Sequence, residues 1–152
     1  MVKSPRFEQI DQKIVNLVAS YGATLLRLSL GIVFLWFGLL KFFPNTSPAE
    51  DLAGRTLNTL SAGLLDAQLG VFLVATLETL IGIGLLFKVC LRFTLLLLFL
   101  QMAGTFTPLV LFGPELFTQF PFVPTLEGQY IIKNIILISA ALVVGSTVRG
   151  AA

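Results

Sequence analysis

Histidine is absent from this chain, and cysteine occurs once, at Cys90. Without imidazole or a second thiol there is no ligand set for His-held haem, a His-type zinc site or a thiolate iron–sulfur cluster, and no intrachain disulfide or CxxC redox pair. Any electron transfer involving this protein must then run through an organic cofactor or a partner chain. Cys90 stands between Lys88 and Arg92, where positive charge lowers a thiol pKa, but a small residue in a tight turn is the simpler reading. Charge is scarce as well. Ten Lys and Arg face eight Asp and Glu, a net charge of +2, too few and too scattered for a nucleic-acid footprint.

What is abundant is apolar surface. Hydrophobic residues make up 56% of 152 positions and the mean hydropathy is +0.93, well above the range of soluble domains. The expectation is a single membrane domain over residues 1–152. Spans are predicted at about 22–43, 69–87, 91–113 and 130–147, each near the roughly 20 residues a spanning helix needs. Lipid offers the backbone no partners, so the spans must be helices. Only Lys88, Val89 and Cys90 separate the second and third, which forces an antiparallel hairpin. The predicted fold class is all-α: an integral membrane, antiparallel four-helix bundle with an N-terminal amphipathic helix and a short external helix.

The N-terminal stretch 1–21 carries Lys3, Arg6 and Lys13, with Ile10, Ile14, Leu17 and Val18 at helical spacing. It reads as an amphipathic helix resting on the membrane surface, and not as a signal peptide. Lys3, Arg6, Lys13, Lys88, Arg92 and Arg149 fall on one side of the spans, against Arg55 and the boundary residue Lys41 on the other. By that bias both termini are expected in the cytoplasm of a multi-pass inner (plasma) membrane protein. Ser47-Pro48-Ala49-Glu50 has capping-box spacing and precedes Ala53, Leu57, Leu60 and Leu64 on one face, predicting the external helix. Residues 114–124 alternate Phe with Pro and are expected to form an ordered plug whose rings cap the bundle mouth.

Within the spans the polar residues fall on stripes. Arg27, Gly31, Phe34, Gly38 and Lys41 share one face of the first. The others group Ala75, Glu78 and Gly82; Gln101, Gly104, Thr105 and Pro108; and Gln129, Lys133, Ile136 and Ala140. Turned inward, these faces give a polar core with close helix contacts at the glycines. Glu78 is near mid-span, where an unpaired charge costs about 2.5–3.5 kcal/mol, so it marks a site. Depth suggests an inner Arg27–Glu78 pair and an outer group of Lys41, Lys133 and Glu127. The alternative for Lys41, Lys133 and Arg27 is snorkelling to the headgroups.

The run RLSLGIVFLWFGLLKF from Arg27, Glu78 followed by Gly82 and Gly84, Thr107-Pro108, and EGQYIIKN from Glu127 to Asn134 together resemble the DoxX-like superfamily, including its YkgB-type inner-membrane members. The resemblance implies a four-helix membrane protein from a group tied to quinone-linked sulfur oxidation, oxidative-stress complexes and assembly or cargo roles. Its shared residues map to Arg27, Gly31, Gly38, Lys41, Glu78, Gly82, Lys133 and Asn134; the external segments are shorter here, and Asn134 stands where YkgB-type members carry an acidic residue.

Three functions are open at this level. The first is an oxidoreductase-associated subunit that binds a quinone or similar lipid-soluble molecule through Arg27, Lys41, Glu78, Gln101, Thr105, Lys133 and Asn134, with Glu78 as candidate proton relay and no covalent cofactor or metal. The second is a non-enzymatic assembly protein, and the third a small proton or anion transporter. Expected partners are the lipid bilayer, a redox or assembly protein and a second copy of the chain, with no nucleic acid.

Overall fold

The computed structural model describes residues 5–44, 46–47 and 50–148. Lys3, Arg149 and the Pro48-Ala49 part of the expected helix cap lie outside them. The elements are α1 (Pro5–Leu40), α2 (Glu50–Leu60), α3 (Ala67–Phe87), α4 (Leu91–Leu111), a 3-10 turn (Gly113–Leu116), β1 (Phe117–Gln119), β2 (Val123–Pro124) and α5 (Leu126–Ser146). Among the described residues α1, α3, α4 and α5 are long and apolar enough to cross a membrane. They pack as a ring in which α1 touches α3 and α5, and α4 touches α3 and α5. The protein is an all-α, multi-pass membrane bundle. Leu30, Phe34, Ile81, Leu85, Leu98 and Val144 form the centre of its apolar core.

Local chemistry sets the helix ends. The Asp66 carboxylate accepts from Leu69 N at 2.8 Å, and the Thr125 hydroxyl from Gly128 N at 3.2 Å, satisfying first-turn donors of α3 and α5. Between α3 and α4 the backbone reverses through two left-handed residues, Lys88 (φ 57) and Cys90 (φ 42), while Val89 N donates back to Gly84 O at 3.0 Å. Exposed Cys90 belongs to this turn. Inside α4, Pro108 has no N–H for Gly104 O. The Thr107 hydroxyl donates to that carbonyl at 2.7 Å and keeps the backbone satisfied in a span, where no water can do so.

Several expectations change. The amphipathic stretch and the first span are one continuous 36-residue helix; Gly22 lies in open space and stays helical, because one Gly costs only about 1 kcal/mol of helix propensity and nothing packs there to bend the chain. Beyond α2, Ala62 (φ 53) and Gly63 (φ 83) end the helix. Gly54 and Leu57 make the contact with Ala67 and Gly70 of α3, while Leu60 and Leu64 stay exposed. The segment after α4 is ordered, as expected, but Phe120 and Phe122 point outward at 73% and 87% exposure, and Leu116 is buried instead. The reason is the short hairpin: β1 and β2 pair Phe117 with Pro124, which puts both rings at its tip.

Candidate functional site

The site is assembled by the antiparallel register of α1 and α3. A Cβ on Gly82 would stand 2.5 Å from Leu35 N, one on Gly38 2.7 Å from Thr79 N, and one on Gly31 2.8 Å from Leu86 Cγ. The three glycines therefore let two backbones approach closely. Gly31 faces Leu86, Leu35 faces Gly82 and Gly38 faces Thr79, so each step up α1 is matched by an equal step down α3. Continuing by that rule, Lys41 comes within about 3 Å of the level of Glu78, whereas Arg27 falls about 18 Å away along the axis.

Glu78 is accordingly paired with Lys41, whose Nζ is 2.6 Å from Oε2. Gln101 Nε2 of α4 donates to Glu78 Oε1 at 3.0 Å. The side chains of Lys41 and Glu78 are only 10% and 11% exposed. Lys41 follows the last residue of α1, so its ammonium also meets the negative end of that helix and lies 3.4 Å from Phe37 O. One neighbour stands out: Thr79 Oγ1, buried against Gly38, has no hydrogen-bond partner. No periodic signal marks it, since a lone Thr beside a span carboxylate usually bonds its own backbone.

The expected Arg27–Glu78 pair is replaced. Arg27, 7% exposed, donates through Nη1 to Leu85 O and to Leu86 O, the latter at 2.9 Å. These are carbonyls of the last turn of α3, which have no helical partner. The outer Lys41, Lys133 and Glu127 group does not assemble either. Lys133 is exposed, as are Gln129 and Ile136 of the same stripe. Instead α5 turns Gly128, Ile131, Ala141 and Val144 inward, because burying that smaller, more apolar face leaves Lys133 free to reach the headgroup region. Gly104 is also exposed, with nothing near it. Thr105 and Asn134 do meet, Asn134 Nδ2 donating to Thr105 Oγ1 at 3.3 Å, so polar contacts join α1, α3 and α4 at one point and α4 and α5 at another.

Two cavities lie away from this cluster. A groove of about 380 Å³ on the outer side of α1 is lined by Leu35, Trp36, Leu39 and Phe43 among others. A second, of about 350 Å³, lies between the start of α4 and the end of α5, lined by Arg92, Leu95, Gly145, Ser146 and Val148. At the opposite end of the bundle, Arg55 of α2 joins Glu115 of the 3-10 turn at 2.9 Å and stacks 4.6 Å over the Phe112 ring. The hydrogen bond and charge of Glu115 raise the pKa of Arg55, and the pair ties α2 to the segment that follows α4.

No curated protein and no solved structure matches the chain. The DoxX family model matches residues 22–112, a stretch that contains Arg27, the three interface glycines, Lys41, Glu78 and Gln101, but not Lys133 or Asn134. Since that match covers more than half of the sequence and includes the whole paired cluster, the chain belongs to the DoxX family.

Proposed function

We propose that this protein is an oxidoreductase-associated membrane subunit whose Lys41–Glu78–Gln101 cluster receives a lipid-soluble carbonyl compound of the quinone class. The observation that carries the reading is the buried, unpartnered Thr79 hydroxyl beside the charged pair. Buried donors without partners are rare and cost about 1–3 kcal/mol, and this one belongs to the residue next to Glu78, the carboxylate on which Lys41 Nζ and Gln101 Nε2 converge. Three donors of that kind suit a carbonyl oxygen. A quinone supplies two carbonyls that take up electrons and protons. The protein's share is to hold Lys41, Gln101 and Thr79 as hydrogen-bond donors, and to keep Glu78 as a proton acceptor shielded from water. The redox partner is a separate protein, because the chain has no His and one Cys.

Native mass spectrometry after gentle extraction tests this. A co-purifying quinone, lost in Lys41→Met and weakened in Thr79→Val, is expected. Absence of any bound quinone, with no spectral change on adding one, would overturn it.

The assembly reading is favoured by a different observation: the exposed Leu60 and Leu64 beyond α2. It requires complex formation to survive Glu78→Gln and to fail when those leucines become Ser. For sidedness, the described Arg6, Lys13, Lys88 and Arg92 lie toward the end that carries the termini, against Arg55 and Lys41 at the other. That bias supports cytoplasmic termini in an inner membrane.

A further inference from the structure

α1 is too long for the bundle it belongs to. Its 36 residues extend about 54 Å at 1.5 Å per residue, whereas the hydrocarbon core is about 30 Å thick. Residues 6–21 are all exposed and the first buried residue of α1 is Arg27, so the first four turns run straight out beyond the other spans. Yet these turns carry an apolar stripe. Ile10, Ile14, Leu17 and Tyr21 recur at steps of four, three and four, and each is 58–60% exposed. A stripe of that kind normally meets another surface.

The stripe lies about 90° round the helix from the Arg27, Gly31 and Gly38 face and beyond the end of α3, so α3 cannot cover it. It is continuous with Leu25, Ile32 and Trp36, exposed on the lipid side of the same helix. In the membrane, acyl chains satisfy those residues. Beyond it they cannot.

We infer that the overhang of α1 pairs with the same segment of a second copy, as a short parallel coiled coil that continues from the membrane. Three features select this occupant. Ile14 and Leu17 take the core positions that favour two strands when β-branched and Leu residues alternate. The flanks are self-complementary: Arg6 and Lys13 line one edge of the stripe and Asp11 the other. In a parallel two-fold pair the basic edge of one helix faces the acidic edge of its partner, setting Arg6 against Asp11 five residues on. Parallel is also the arrangement that two chains inserted with the same sidedness must adopt. A helix lying on the bilayer fits less well, since Lys3, Arg6 and Lys13 are offset by Glu8 and Asp11, leaving a net charge of +1 and little attraction to anionic lipid. The proposal is independent of the Glu78 cluster.

Disulfide trapping in native membranes tests it, using the full chain in a Cys90→Ser background with one new cysteine at a time. Ile14→Cys and Leu17→Cys lie on the stripe, and Asn16→Cys lies on the opposite side; all are exposed, so folding is a minor concern. At least tenfold more covalent dimer from Leu17→Cys than from Asn16→Cys is expected. Adding Arg6→Glu should lower the yield several-fold, and Asp11→Arg combined with it should restore the yield. Equal trapping at positions 16 and 17 would overturn the proposal. So would strong quenching of a Leu17→Trp variant by brominated lipid, which would place the helix on the bilayer.

Discussion

The α1–α3 seam and the α4–α5 seam both contain glycine and polar residues, yet they are built on different physics. At α1–α3, Gly31, Gly38 and Gly82 each lie against a neighbouring helix at distances no Cβ could occupy, and the close approach places Lys41, Glu78 and Thr79 together. Between α4 and α5 the small residues have room: Gly104 faces nothing, and a Cβ on Gly145 would meet Leu95 at an ordinary 3.7 Å; the tight glycine of α5, Gly128, lies against Leu116 of the 3-10 turn and not against α4. One polar bond, Asn134 to Thr105, crosses there. Glycine content alone does not mark a tight interface. What marks it is glycine in matched register on both partners, so that backbone meets backbone.

Predictions follow from that contrast, all read as unfolding free energy in detergent by denaturant titration with circular dichroism. The largest effect is expected from Lys41→Met, which strands the Glu78 carboxylate in the bundle and should destabilise by about 3–5 kcal/mol. Lys41→Met combined with Glu78→Leu should recover much of that loss; failure to recover would mean that the pair is not the unit holding the seam. Arg27→Gln comes next, at about 1.5–3 kcal/mol, because it removes charge-assisted bonds to the closing carbonyls of α3. Gly82→Ala should cost about 1–3 kcal/mol through overpacking on Leu35. By contrast, Gly104→Ala should be neutral or stabilise by up to about 1 kcal/mol through helix propensity alone. Equal effects at Gly82 and Gly104 would erase the distinction between the seams. The smallest effect is Asn134→Ala, near 0.6 kcal/mol, the average for a polar contact between membrane helices.

Much of this was readable from residue order. The spans, the hairpin at Lys88–Cys90 and the Arg27-to-Lys41 stripe follow from hydropathy and a 3.6-residue period, which are local properties. Glu78 stood out because a carboxylate at mid-span has few tolerable environments. The partner of Glu78 did not follow, since Arg27 and Lys41 share one stripe and only the register of α3 against α1 chooses between them. The orientation of α5 was misjudged for a related reason. The Lys133 stripe and the Ile131 stripe are both helical faces, and the choice depends on which one fills the space left by α1 and α4.

The sequence by itself determined that this chain crosses the bilayer as four helices and that its carboxylate in the second span must be neutralised, because lipid leaves backbone and charge no solvent to turn to. Tertiary structure alone decided that Lys41 does the neutralising, that Gln101 joins it while Lys133 stays outside, and that Thr79 is left without a partner. Those outcomes depend on how closely two helices approach and at what offset, and neither quantity exists until the glycines of one helix meet the backbone of the other.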